Sequence, residues 1–194
     1  MATVASMTKD REAESETSPV IRSLHQMSFR CFDAEETRRF YEDFLGLEFC
    51  AALPTTVDLG GKQVEALRIL FRMENGDFFS FYDVPDDVRP DIYQEVGPFD
   101  SHFAMKVPSE AQWDIWVDRL TKAGVEYVGP MDHDFIRSVY FKDPNGLWLE
   151  FTYQVADHEE ILAREKAHSE EAMRGWIAKT GEQKAKFKKA AAAE

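Results

Sequence analysis

The chain has 194 residues, enough for one compact domain or two small modules. Its net charge of −13 argues against binding a phosphate backbone or an anionic membrane, and no apolar run approaches the roughly 20 residues of a membrane span. Two cysteines, Cys31 and Cys50, cannot make a disulfide framework; both fall in strand-like segments and read as reduced core residues.

Residues 1–21 are polar, acidic and aperiodic, which predicts a flexible arm; they lack the apolar stretch of a signal peptide, so a cytoplasmic protein is expected. HQMSFRCF then alternates as a strand. DAEETRRFYEDFLGL follows as a helix, with Asp33 as N-cap, Glu36 as capping-box partner and Gly46 as its stop. Phe40, Tyr41, Phe44 and Leu45 make its apolar stripe. Three strands are predicted next, LEFCAAL, VEALRILFRM and DFFSFYDV, the last two joined by Glu74-Asn75-Gly76.

The order then repeats. HFAMKV is a strand. PSEAQWDIWVDRLTKAG is a helix capped by Ser109 and Gln112 and ended by Gly124. VEYVGPM, IRSVYFKD and LWLEFTY are strands, the last two joined by Pro144-Asn145-Gly146. ENGDFFSFYD aligns with PNGLWLEFTY, which sets Ser80 opposite Glu150. The expected fold class is α+β: two tandem βαβββ modules, 22–85 and 100–154, forming a cup-shaped mixed sheet, with a linker at 86–99. Residues 155–194 form a C-terminal helical extension and basic tail. Ile161, Leu162, Met173, Trp176 and Ile177 are its apolar positions, suited to packing on the modules or on a second subunit.

The segment LHQMSFRCFDAEETRRFYEDFLGLEF resembles the opening of vicinal-oxygen-chelate proteins, and SHFAMKV through DHDFIRSVYFKDPNGLWLEF resembles it more strongly. That superfamily includes glyoxalase I, methylmalonyl-CoA epimerase, extradiol dioxygenases, fosfomycin-resistance enzymes and bleomycin-binding proteins, so the resemblance is specific for fold and weak for reaction. It implies a metal ligand on the first strand and on the last strand of a module, projecting into the cup. Strand parity tests which residues point there. Phe103, Met105 and Val107 form one face of HFAMKV, leaving His102, Ala104 and Lys106 for the cup. Leu147, Leu149 and Phe151 leave Trp148, Glu150 and Thr152. His102 and Glu150 carry donors that a divalent metal takes, with a hydrogen-bonded strand histidine as the bland alternative for His102.

In the first module Met27, Phe29 and Cys31 form the apolar face, so Gln26, Ser28 and Arg30 face the cup and His25 faces the helix. The resemblance implies a ligand at Gln26, with His25 in reserve; a substrate hydrogen-bonder is the alternative for Gln26. Ser80 stands where glyoxalase-like members carry Glu or Gln, so only one carboxylate remains for proton shuttling beside a chelated carbonyl. HDFIRSVYFKDPNGLWLE is similar to the extradiol dioxygenase pattern, which implies His133 as acid/base and Tyr140 as a hydrogen-bonder to substrate oxygen. A loop histidine and a turn made by Asp-Pro-x-Gly are the alternatives.

Phe78, Tyr82 and Trp148 would line the cup for an aromatic or apolar substrate, and Arg30 and Lys106 would hold an anionic group. The resemblance thus implies one divalent metal ion, Fe2+ first and Zn2+, Ni2+, Co2+ or Mn2+ as alternatives. It also implies a small-molecule substrate and a homodimer, while the acidic charge leaves no nucleic-acid or membrane partner expected. An Fe2+ extradiol-type dioxygenase is expected first, a glyoxalase I-like lyase or epimerase second, and a metal-free binding protein third.

Overall fold

The computed structural model describes residues 23–191, with side chains through Lys186; the predicted arm over 1–21 lies outside them. The chain divides into two compact units between Pro90 and Asp91. Each holds one four-stranded mixed sheet with helix on one face, so the α+β class and the repeated βαβββ order are observed.

In the first unit β1 (Gln26–Cys31) leads to α1 (Ala34–Arg38), then to β2 (Glu48–Leu59), β3 (Lys62–Arg72) and β4 (Phe78–Asp83). The sheet order is β1-β4-β3-β2, with β1 parallel to β4 and the other pairs antiparallel. Asp33 caps α1 by accepting from the Glu36 N–H at 2.7 Å. Beyond Arg38 the helix widens: over Arg39–Phe44 the backbone makes i→i+5 bonds, Leu45 N–H to Phe40 O at 2.9 Å among them. That widening turns Tyr41 onto the sheet, where it is fully buried against Phe71, Phe79 and Phe81, its ring 4.7 Å from that of Phe81. Burying each such ring contributes about 1.5–3 kcal/mol. The core of this unit is therefore rich in aromatic rings.

The β2–β3 hairpin is longer than expected. β2 runs on past Leu53 through Pro54 to Leu59, and β3 starts at Lys62. The two-residue turn Gly60-Gly61, with φ of 65° and 91°, closes it, a geometry only glycine adopts without strain.

In the second unit β5 (Phe103–Lys106) precedes α2 (Glu110–Ala123), and β6 (Tyr127–Asp132), β7 (Ile136–Lys142) and β8 (Trp148–Gln154) follow, in the order β5-β8-β7-β6. Ser109 accepts from the Gln112 N–H, and Gly124 stops α2 in the left-handed region at φ 68°. Trp113, Trp116 and Leu120 pack on the Phe141 and Phe151 side of the sheet; the Trp116 and Phe151 rings lie 4.5 Å apart.

The extension is one long helix, α3 (His158–Ala191), which takes in most of the predicted basic tail. Of its five predicted apolar contacts only Ile161 is buried; Leu162, Met173, Trp176 and Ile177 are exposed. A helix this long leaves the sheet after its first turn, so spacing alone could not say which turns would be covered. No described helix is long and apolar enough to cross a membrane.

Candidate functional site

β8 is the central positioning element of the second unit. It pairs with β5 in parallel and with β7 in antiparallel, so Glu150 faces Ala104 on one side and Tyr140 on the other. Residues directly opposite in a sheet share a face. Leu149 and Phe151 therefore go to the α2 side, and Glu150 goes with Tyr140 to the other.

Glu150 is 2% exposed, a position that a carboxylate occupies only with strong partners. One oxygen, Oε2, lies 3.1 Å from His102 Nε2. The other, Oε1, is buried and has no hydrogen-bond partner among the described residues. The opposite ring nitrogen of His102, Nδ1, bonds the carbonyl of Pro98. A carbonyl only accepts, so Nδ1 carries the proton and the ring is oriented by that bond. A backbone carbonyl in this role is the usual companion of a metal-ligating histidine. Nε2 and a carboxylate oxygen then face each other, a pair of donors that suits a cation.

The other two expected residues of this unit are brought to the same place. Tyr140 lies edge-on to His102, with ring centroids 5.4 Å apart, and its hydroxyl is 3.0 Å from His133 Nε2. Burial first, and the Glu150 charge second, push the Tyr140 phenol above its usual pKa. His133 sits on a tight loop: its N–H bonds Ile136 O, and Asp134 beside it holds φ of 65° while donating to Asp132. His102, His133, Tyr140 and Glu150 together line one open cavity of about 400 Å³, with Asp132, Phe135 and Ile136 also on its wall.

The donor set suits a divalent cation in chemistry and orientation, since an imidazole nitrogen and an orphaned carboxylate oxygen converge. It is small, however. Among the described residues no group of three His, Cys, Asp or Glu side chains gathers around any point. Any further coordination would come from amide, phenol, water or substrate oxygen.

The first unit differs from the expectation. Gln26 does lie on the face opposite the helix, but its Oε1 accepts from Arg68 Nη2 at 2.6 Å. Arg68 Nε also donates to the fully buried Ser80 at 2.9 Å. Thus the amide oxygen offered as a ligand already serves a guanidinium. Sequence reasoning passed over Arg68, although an arginine in the middle of the apolar run VEALRILF was a signal. His25, the reserve ligand, is exposed, and its ring lies 5.6 Å from that of Phe78.

The expected substrate contacts scatter. Arg30 pairs with Asp87 at 3.1 Å, Phe78 lies beneath Arg72, and Tyr82 lies beneath Arg68. Lys106 donates to Gln154. Trp148 donates to the Val96 carbonyl at 2.8 Å and lines a separate cavity with Tyr127, Val128 and Lys142, away from the one holding Glu150.

A βαβββ unit with a His–Glu pair on its open sheet face is the arrangement of a recognised protein class, and the sequence agrees. The signature of the Glyoxalase/Bleomycin resistance protein/Dioxygenase superfamily matches residues 23–151, and the chain belongs to that superfamily. Solved structures share the fold. A glyoxylase/bleomycin resistance protein/dioxygenase domain from Frankia sp. EAN1pec is 18% identical with a TM-score of 0.54, over 70% of this chain and 100% of its own. A glyoxalase/dioxygenase from Nostoc punctiforme is 22% identical with a TM-score of 0.52, over 72% and 99%. The fosfomycin resistance protein FosX from Listeria monocytogenes, as a mutant complexed with Mn(II) and a dihydroxypropylphosphonic acid, is 17% identical with a TM-score of 0.52, over 72% and 98%. No curated protein matches the chain.

Proposed function

We propose that this chain is a divalent-metal-dependent enzyme acting on a small molecule with neighbouring oxygen atoms, and more specifically an Fe2+ dioxygenase of the extradiol type acting on an aromatic or enolic diol. His102 and Glu150 would hold the metal ion, with Fe2+ ahead of Zn2+, Ni2+, Co2+ or Mn2+. When bound, the ion supplies Lewis acidity toward substrate oxygen. The observation that supports this most is the convergence on one cavity of a buried, unpartnered Glu150 oxygen and a hydrogen-bonded Tyr140–His133 pair.

The residues of the chain divide the remaining work. Pro98 O holds the His102 ring in one tautomer. Glu150 places negative charge where a cation is wanted, in a site dry enough to make that charge count. Tyr140 stays a neutral phenol through burial and the Glu150 charge. Its oxygen can accept a substrate hydroxyl proton as its own O–H proton passes to His133 Nε2, 3.0 Å away. The substrate is left as an oxyanion and His133 as the cation, at the exposed end of the relay.

A lyase or epimerase that shuttles a proton between two carboxylates is disfavoured, because Ser80, buried under Arg68, stands where the second carboxylate would be. Two measurements test the proposal. Protein purified without chelator should hold about one metal ion per site, and Glu150→Ala should hold none; equal content in both would sink the metal site. Anaerobic loading with Fe2+ followed by a panel of catechols should give oxygen uptake. Metal binding without uptake on any member would remove the dioxygenase and leave the metal enzyme, whereas a metal-free protein that still binds small molecules would favour the binding-protein alternative. The expected homodimer is a separate proposal, checked by sedimentation equilibrium.

A further inference from the structure

The sheet face of the first unit carries an arginine that, among the described residues, has no acidic partner. Gln26, Ser28 and Arg30 on β1 stand opposite Phe78, Ser80 and Tyr82 on β4, which in turn stand opposite Arg72, Leu70 and Arg68 on β3, so all share that face. Three of these residues are arginines. Arg30 is paired with Asp87 at 3.1 Å, and Arg72 with Glu48 at 3.4 Å. Arg68 is held differently. Its Nε donates to Ser80 at 2.9 Å, its Nη2 donates to Gln26 at 2.6 Å, and its guanidinium lies 5.4 Å above the Tyr82 ring. Among the described residues no carboxylate lies within ion-pair distance of it, and nothing accepts from Nη1.

This is unusual for the chain's own composition. Acidic residues outnumber basic ones, 36 to 23, so a carboxylate partner is not scarce. Arg68 is also half-buried, where an uncompensated charge is more expensive than at the surface. Two neutral acceptors and an aromatic ring fix its orientation, and among the described residues Nη1 has no acceptor. A planar guanidinium presented in this way is suited to a bidentate oxyanion. Ser28, whose hydroxyl accepts from Gln26 at 3.3 Å, and the Phe78 and Tyr82 rings give such a ligand one more polar contact and an apolar wall.

We infer that Arg68 is the anchor of an oxyanion-binding site on the first unit, one that takes a carboxylate or phosphate carried on an aromatic or apolar body. Gln26 and Ser80 are positioning residues for that guanidinium. The site does not depend on the metal ion proposed for the second unit.

Benzoate and phenyl phosphate are the probes, titrated calorimetrically into the full chain, with benzamide as the neutral control. Wild type should bind at least one of the two anions saturably, more weakly as salt rises, and benzamide at least 10-fold more weakly, about 1.4 kcal/mol. Arg68→Met should lose about 10-fold or more in anion affinity, and Arg72→Met, at an exposed and paired position, should change it less than about 2-fold. Which of the two anions binds tighter tells carboxylate from phosphate as the natural group. Equal anion affinity in Arg68→Met and wild type, or benzamide binding as well as benzoate, would overturn the inference. Should Arg68→Met misfold, the wild-type Nε–H resonances decide: the Arg68 signal must move on addition of the anion, and a stationary signal counts against the site. Glu150→Gln separates the two proposals, since it should lose metal and keep anion affinity.

Discussion

Replacing Glu150 with Gln probes the second-unit site with the least change in shape. The side chain is 2% exposed, Oε2 lies 3.1 Å from His102 Nε2, and Oε1 has no donor. The substitution removes the negative charge and replaces one acceptor with an N–H₂ donor, which can bond the His102 Nε2 lone pair and so occupy it. With metal present at 100 times its Kd, binding to the folded state stabilises the wild type by about 2.7 kcal/mol. For a chain of this size that raises Tm by about 5–11 °C, at about 2–4 °C per kcal/mol. Removing even an outer partner of a ligand weakens a metal site about 10–100-fold, and Glu150 is the carboxylate that faces His102 here. A 100-fold loss at the same metal concentration leaves about RT ln 2, roughly 0.4 kcal/mol and a shift near 1 °C. The assay is differential scanning calorimetry of both proteins, stripped and then titrated in turn with Mn2+, Zn2+, Ni2+, Co2+ and, without oxygen, Fe2+. Equal metal-induced shifts in the two proteins would refute the assignment of Glu150 as a ligand. No shift in the wild type with any ion would refute the metal site as a whole.

Tyr140→Phe and His133→Phe should each lower kcat by about 100- to 10,000-fold while metal content stays at the wild-type level; a loss of metal instead would make the pair structural. The Tyr140 phenol is raised by burial and then by the Glu150 charge, so ultraviolet titration should show a phenol ionising above the ordinary value near 10 that disappears in Tyr140→Phe and falls in Glu150→Gln. The sign for stability follows from this direction: below pH 10 both folded and unfolded forms hold the proton, and above it the unfolded chain loses the proton first, so stability falls as pH rises from 10 toward the folded pKa. Leu120→Ala, at a fully buried position on α2, should cost about 2–5 kcal/mol in urea unfolding, and a cost below 1 kcal/mol would mean that α2 packs more loosely on its sheet than drawn.

Local chemistry made the order of elements legible. Asp33 and Ser109 start helices because their side chains accept from an N–H three residues on, and Gly124 ends one because it adopts a positive φ. Alternation placed Leu149 and Phe151 inward, and that same parity set Glu150 and His102 on the opposite side, where the structure has them 3.1 Å apart. Strand ends are less legible: LEFCAAL ends at Leu53, and Pro54 and two threonines break the apolar rhythm beyond it, whereas the Gly60-Gly61 turn keeps the pairing going to Leu59. The helical tail was legible as a helix, but not which of its turns would be covered.

What the sequence by itself determined is therefore the periodic part of this protein: the two βαβββ repeats, their caps and turns, and the face on which each strand residue lies. Those follow from interactions over a few residues and from a strict period of two. Tertiary structure alone decided what each side chain on that face meets. The Gln26 oxygen went to Arg68, His102 found the Pro98 carbonyl, and Tyr140 found His133, while Glu150 Oε1 was left without a partner. Such choices depend on strand register and loop path, which bring together groups as far apart as β1 and β3 in the chain. No local propensity encodes them, because a hydrogen bond is decided within a few tenths of an ångström and a face is decided by parity alone.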